Sequence, residues 1–130
     1  MILALRTDSM TAFIATLSPV ADVIKSKEWE AGRRLSIQLP AAIDELLKES
    51  NFDYSDVTGV VVYEGPGSFT GLRIGITIAN TIAHKLKVPI VGSTGEDWVA
   101  SGVKKLEFAQ SGIIVMPVYG GEANVTKPRK

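Results

Sequence analysis

The period of the hydrophobic positions changes several times along the chain, and each change predicts an element. Ile2 to Leu5 is a continuous apolar run, the pattern of a strand buried on both faces. Thr11 to Leu17 (TAFIATL) is rich in β-formers and follows a polar break at Asp8 and Ser9, which predicts a hairpin. Ser18-Pro19 reads as a turn, and Asp22 to Trp29 (DVIKSKEW) as a third strand. Lys25 and Lys27 suit an exposed edge, where charge discourages wrong pairing.

From Gly32 to Ser50 the period becomes helical. Leu35, Leu39, Ala42, Ile43, Leu46 and Leu47 fall on one face. Pro40 has no N–H to bond one turn back, so a kink or a late start is expected. Ile37 and Ala41 lie off the main stripe; they are either ordinary exposed apolar residues or part of a second, partner-facing side. Val57 to Tyr63 (VTGVVVY) reads as a central strand. A turn over Glu64 to Thr70 follows, then a helix to about Leu86, and Pro89 to Gly92 (PIVG) is the next central strand. Ser93 with Glu96 three residues on forms a capping-box signature for a helix through Trp98, Val99, Gly102 and Val103. Ile113 to Val118 reads as a last strand. Hairpin-ordered strands followed by strand–helix alternation predict an α/β domain, a mixed sheet flanked by helices.

The second helix is apolar on most sides. Gly71, Gly75, Ala79 and Ala83 recur every four residues as a groove, and Ile74, Ile78, Ile82 and Leu86 form a ridge beside it. Leu72 and Ile76 add a third row, so the helix needs cover on more than one side. Two readings stand: a deeply buried core helix, or a helix shared between the core and a second protein chain.

The turn before it invites a phosphate-binding interpretation. Gly65 and Gly67 open backbone angles closed to other residues, Pro66 fixes φ between them, and Ser68 or Thr70 is placed to cap the helix. The specific tests fail. Gly65 and Gly71 are six apart and Leu72 stands where the Walker lysine belongs, while the dinucleotide spacing reads G-x-G-x-x-x-G. A tight turn leading into a capped helix is the simpler account.

Chemistry is otherwise sparse. The chain has 130 residues, enough for one domain, and no cysteine, which excludes disulfides, thiolate metal sites and a thiol nucleophile and agrees with a cytoplasmic address. Fourteen basic and fourteen acidic residues balance to a net charge of +0, so nothing signals a whole-domain grip on nucleic acid or membrane. No apolar run has the length of a signal peptide or membrane span. His84 is the single histidine, with no companion ligand, and no metal or cofactor is expected. Arg6 occupies the spot where a sheet of this kind would place a metal-binding carboxylate, and Asp8 follows in a turn.

With these residues laid out, the chain resembles the TsaB (YeaZ) family of tRNA threonylcarbamoyladenosine biosynthesis. The resemblance rests on Ile2-Leu3-Ala4-Leu5-Arg6-Thr7, on Leu39-Pro40, and above all on Gly65-Pro66-Gly67-Ser68-Phe69-Thr70-Gly71-Leu72-Arg73-Ile74-Gly75, and covers roughly residues 1 to 103. It implies an actin-like, ribonuclease-H-like lobe with a mixed five-stranded sheet, three antiparallel strands and then parallel ones. It implies a non-catalytic subunit that docks on and activates the paralogue TsaD, which carries the transfer to the adenosine beside the anticodon. TsaE, an ATPase, joins the same complex, and tRNA is met through it. The expected docking residues are Gly71, Arg73, Ile74, Gly75, Ile78, Ala79 and Ile82, with Ile37 and Ala41 on the first helix. Gly65, Pro66, Gly67, Ser68 and Thr70 are expected to be structural.

Departures accompany the match. Arg6-Thr7 replaces the family's usual Asp-Thr, Arg34 stands where a histidine is common, and there is no length for a second lobe. The expected organisation is one lobe over 1–118 and a basic tail over 119–130, and the ending Pro117-Val118-Tyr119 followed by that basic tail resembles the family's own C-terminus. Lys127, Arg129 and Lys130 are either a solubilising end or a small tRNA-phosphate contact. Two rival functions remain: a homodimer through the same helices, and a nucleotide-binding or hydrolysing enzyme.

Overall fold

The computed structural model describes residues 1–119. Its five-stranded sheet has the order β3-β2-β1-β4-β5, built from β1 (Ile2–Arg6), β2 (Thr11–Leu17), β3 (Val23–Glu30), β4 (Gly59–Tyr63) and β5 (Ile90–Ser93). β1 pairs antiparallel with β2 and parallel with β4; β2–β3 is antiparallel and β4–β5 parallel. This is the mixed sheet of an actin-like, ribonuclease-H-like lobe. β1 and β4 are central and covered on both faces, which is why their sequences are apolar without alternation.

Three α-helices cover the sheet: α1 (Leu35–Glu49), α2 (Phe69–Leu86) and α3 (Trp98–Leu106). α2 lies against the face carrying Thr7, and α3 lies on the other face, where Gly102 meets Val61. α1 packs beside α2 and over β2 and β3. Leu39, Ile43 and Leu46 of α1 are fully buried, as are Leu72 and Ala79 of α2. Each such leucine or isoleucine contributes roughly 1.5–3 kcal/mol relative to exposure.

α1 is preceded by a 3-10 turn at Gly32–Arg34, the late start that the sequence allows, and then runs on through Pro40. Pro40 leaves the Ser36 carbonyl without its helical donor. That loss is affordable because Ser36 and Pro40 are both exposed.

Three local expectations need correction. Ser93 does not cap α3: it pairs with Tyr63 as the last residue of β5 and is buried, and Asp97 stands at the N-cap instead. The sheet register outcompetes the cap. Neither Ser68 nor Thr70 caps α2 through its side chain. Ser68 is the N-cap residue, but its link is the backbone bond to the Asp8 carbonyl at 2.8 Å, and Thr70 already lies inside the helix. Ile113 to Val118 is not a strand of the sheet. An amide side chain holds it instead: Asn80 donates Nδ2 to the Val115 carbonyl and accepts from the Val115 N–H, both at 2.9 Å. Val118 N–H adds a bond to the Glu64 carbonyl at 2.7 Å. The tail residues Lys127, Arg129 and Lys130 lie outside the described residues.

Candidate partner-docking face

The small-residue row of α2 faces inward. A methyl group on Gly71 would collide with the Thr7 carbonyl, and one on Gly75 with the Thr7 side chain. Thr7 Oγ1 donates to the Gly71 carbonyl at 2.8 Å, so the contact is also a hydrogen bond. Ala79 and Ala83 are buried as well. The expectation that Gly71, Gly75 and Ala79 admit a foreign helix is therefore corrected. Small side chains let two surfaces approach, but the approaching surface is the end of this chain's own β1.

The turn at Gly65 is a joint of the same kind. Gly65 has φ +126 and is hemmed in by the Val118 carbonyl and the Leu72 side chain. Gly67 rests on Asp8. Asp8 itself is engaged: Arg6 donates Nε and Nη2 to its two carboxylate oxygens at 2.8 and 3.1 Å. This hydrogen-bonded carboxylate raises the pKa of the Arg6 guanidinium, which also lies 3.9 Å from the centre of the Tyr63 ring. Among the described residues, no cluster of histidine or acidic groups is placed to hold a metal ion, and exposed His84 stands apart from any such set.

What remains of the expected docking set forms an outward face over α1 and α2. Ile37 is 67% exposed, and Ala41 and Arg73 are exposed too. Ile74 and Ile78 are half-buried and wall a hollow of about 390 Å³ with Ser36, Pro40, Arg73 and Thr77. A second hollow of about 360 Å³ adjoins it, sharing Thr70 and Ile74 and reaching Met10, Arg33 and Ser68. Ile82 lies apart, in a hollow with Tyr54, Lys85 and Leu86. Ala41 also borders a cleft with Trp29, whose Nε1 donates to Gln38 Oε1 at 3.0 Å.

One edge of this face escaped the sequence reading. Phe69 stacks on Tyr119 with ring centres 4.5 Å apart, and the Arg73 guanidinium lies 5.4 Å from the Phe69 ring centre. The pairing joins residues fifty positions apart, and aromatic content alone does not announce it.

This arrangement has relatives. The family described as "TsaD: tRNA N6-adenosine threonylcarbamoyltransferase" matches residues 22–115, well over half of the chain. The Bacillus subtilis tRNA threonylcarbamoyladenosine biosynthesis protein TsaB is 36% identical over 92 residues. The YeaZ structure from Pseudomonas aeruginosa superposes with a TM-score of 0.66 at 28% identity, covering 72% of this chain.

The chain belongs to the TsaB/YeaZ branch of the TsaD family.

A TsaD-type relative, the tRNA N6-adenosine threonylcarbamoyltransferase of Lacticaseibacillus casei, is 33% identical over 102 residues. The match takes in 68% of this chain but 38% of the Bacillus TsaB, and 43% of the Pseudomonas YeaZ chain. The chain thus spans about two fifths of the TsaB and YeaZ relatives. No helix among the described residues is long and apolar enough to cross a membrane.

Proposed function

We propose that this TsaB-type lobe is a non-catalytic docking subunit in tRNA threonylcarbamoyladenosine modification, and that its α1–α2 face binds and activates a TsaD-like paralogue. The observation that carries this reading is Ile37, an isoleucine 67% exposed on a helix whose other face already fills the core. Ala41, one turn later on the same helix, is exposed as well, and the hollow that Ser36 and Pro40 of this helix border adds the half-buried Ile74 and Ile78, so the apolar surface is more than one lone residue, the kind of patch that marks an interaction surface. A TsaE-like ATPase and the tRNA enter through that partner, in a cytoplasmic complex. The Arg6–Asp8 pair supports the absence of chemistry here, because the carboxylate nearest the family's usual aspartate position is spent on a guanidinium.

The test is co-purification with the TsaD-type chain of the same organism. Ile37→Asp and Ala41→Asp, both at exposed positions, should each abolish the complex while far-UV circular dichroism stays unchanged. Retention of both variants by the partner at wild-type affinity would overturn the reading.

One observation favours a second reading, self-association through the same face. α1 begins beside Arg33 and Arg34 and carries the exposed Asp44 in its later turns, where Glu45 and Glu49 pair with Lys27, so two copies crossing antiparallel would bring the arginines against Asp44. Light scattering across a hundredfold concentration range distinguishes the readings, since a constant monomer mass rejects the dimer.

A further inference from the structure

Three cations crowd the corner where α1 and α2 begin. Arg33 lines the hollow shared with Ser68 and Thr70, Arg34 is the N-cap residue of α1, and Arg73 lines the adjoining hollow. All three are exposed, and none makes an ion pair among the described residues, where the pairs formed are Arg6–Asp8 and Lys27 with Glu45 and Glu49. Neither helix has an acidic residue in its first turn. Two arginines beside the start of α1 work against the helix dipole, which disfavours cations at that end. Phe69, braced by Tyr119, keeps the Arg73 guanidinium beside the groove. The lobe therefore presents an apolar groove with an unneutralised positive rim at one end.

Resting on the docking reading above, we infer that the partner chain inserts an apolar helix into the α1–α2 groove and carries carboxylates that meet Arg33, Arg34 and Arg73. The charge pattern sets the orientation of docking. The partner's acidic residues lie at the end where α1 and α2 start, and apolar residues follow towards Ile78. Cations at the edge of an apolar contact act mostly through encounter and register, so they raise the association rate and make it salt-dependent. A protein carboxylate fits better than an RNA phosphate because three arginines at one end of an apolar groove, on a chain of net charge +0, are too few to hold a nucleic-acid backbone.

The experiment measures association with the TsaD-type partner at low and high salt for wild type, Arg33→Glu/Arg73→Glu, Arg33→Gln/Arg73→Gln and Ile37→Asp, with tRNA binding followed in parallel. The expected result is that the double glutamate variant binds roughly 10- to 100-fold more weakly, chiefly through a slower and less salt-dependent on-rate. The glutamine pair should fall between, and reversing acidic residues on the partner should restore the glutamate variant. If both arginine variants bind like wild type while Ile37→Asp fails to bind, the charge inference is wrong and the docking reading stands. If none of the variants changes binding, the docking reading itself is wrong. Loss of tRNA binding with intact partner binding would reassign the rim to phosphate, and formation of a homodimer alone would overturn the choice of partner.

Discussion

Thr7 occupies the space that a side chain on Gly75 would need, and its hydroxyl donates to the carbonyl of Gly71 one turn earlier. Two glycines of α2 are thus spent on bringing the helix against the end of β1. Gly75→Leu is expected to destabilise the lobe itself by about 1–3 kcal/mol or more through overpacking, rather than to remove partner binding selectively. Urea denaturation of the isolated chain checks this, and an unchanged midpoint would mean that β1 yields more easily than its packing indicates.

Ser93 gives a prediction whose sign distinguishes two local structures. Its buried hydroxyl has no hydrogen-bond partner among the described residues. Ser93→Ala removes an unsatisfied polar group and is expected to raise stability by about 1 kcal/mol. Were Ser93 a helix cap, the same change would lower stability by about 1 kcal/mol. Thermal unfolding decides between them.

Asn80 fastens the segment after α3 through both ends of its side-chain amide, the NH2 donating to and the oxygen accepting from Val115. Asn80→Ala should cost about 1–2 kcal/mol, the sum of two ordinary hydrogen bonds. Hydrogen exchange should accelerate at Val115 and Val118 while the β1 and β4 amides keep their protection. Uniform acceleration throughout the chain would instead point to global unfolding.

Tyr54 supplies a pH dependence. Burial first, and then its hydrogen bond to Asp44 at 2.7 Å, push the phenol pKa upward from 10.0. A raised folded pKa favours the protonated form, so the contribution is complete below pH 10.0 and is lost as pH rises beyond it, because the unfolded chain releases that proton first. Stability should fall above that pH, and Tyr54→Phe should flatten this part of the curve in guanidinium titrations read by fluorescence.

The strand and helix periods of Ile2–Leu5, of the Leu35–Leu47 stripe and of the Gly65–Gly75 stretch predicted the elements to within a few residues. Capping was less legible, since Ser93 and Ser68 have the right identity but their backbones were claimed by β5 and by Asp8. Ile113 to Val118 has the composition of a strand, yet Asn80 is its partner, and an asparagine inside a helix carries no mark of such a bond.

The sequence by itself determined the mixed sheet, the helices over it and the kinship with TsaB, because alternation, helical period and a long motif are local properties of the chain. It also determined that α2 needed cover on more than one side. Only the tertiary structure decided which side faces which neighbour. Gly71 and Gly75 look the same in sequence whether they receive a foreign helix or the end of the chain's own β1, and the choice depends on where Thr7 ends up. With that row sealed, the exposed Ile37 and Ala41 and the half-buried Ile74 and Ile78, with the arginines near them, are the part of the expected docking set that the fold leaves accessible.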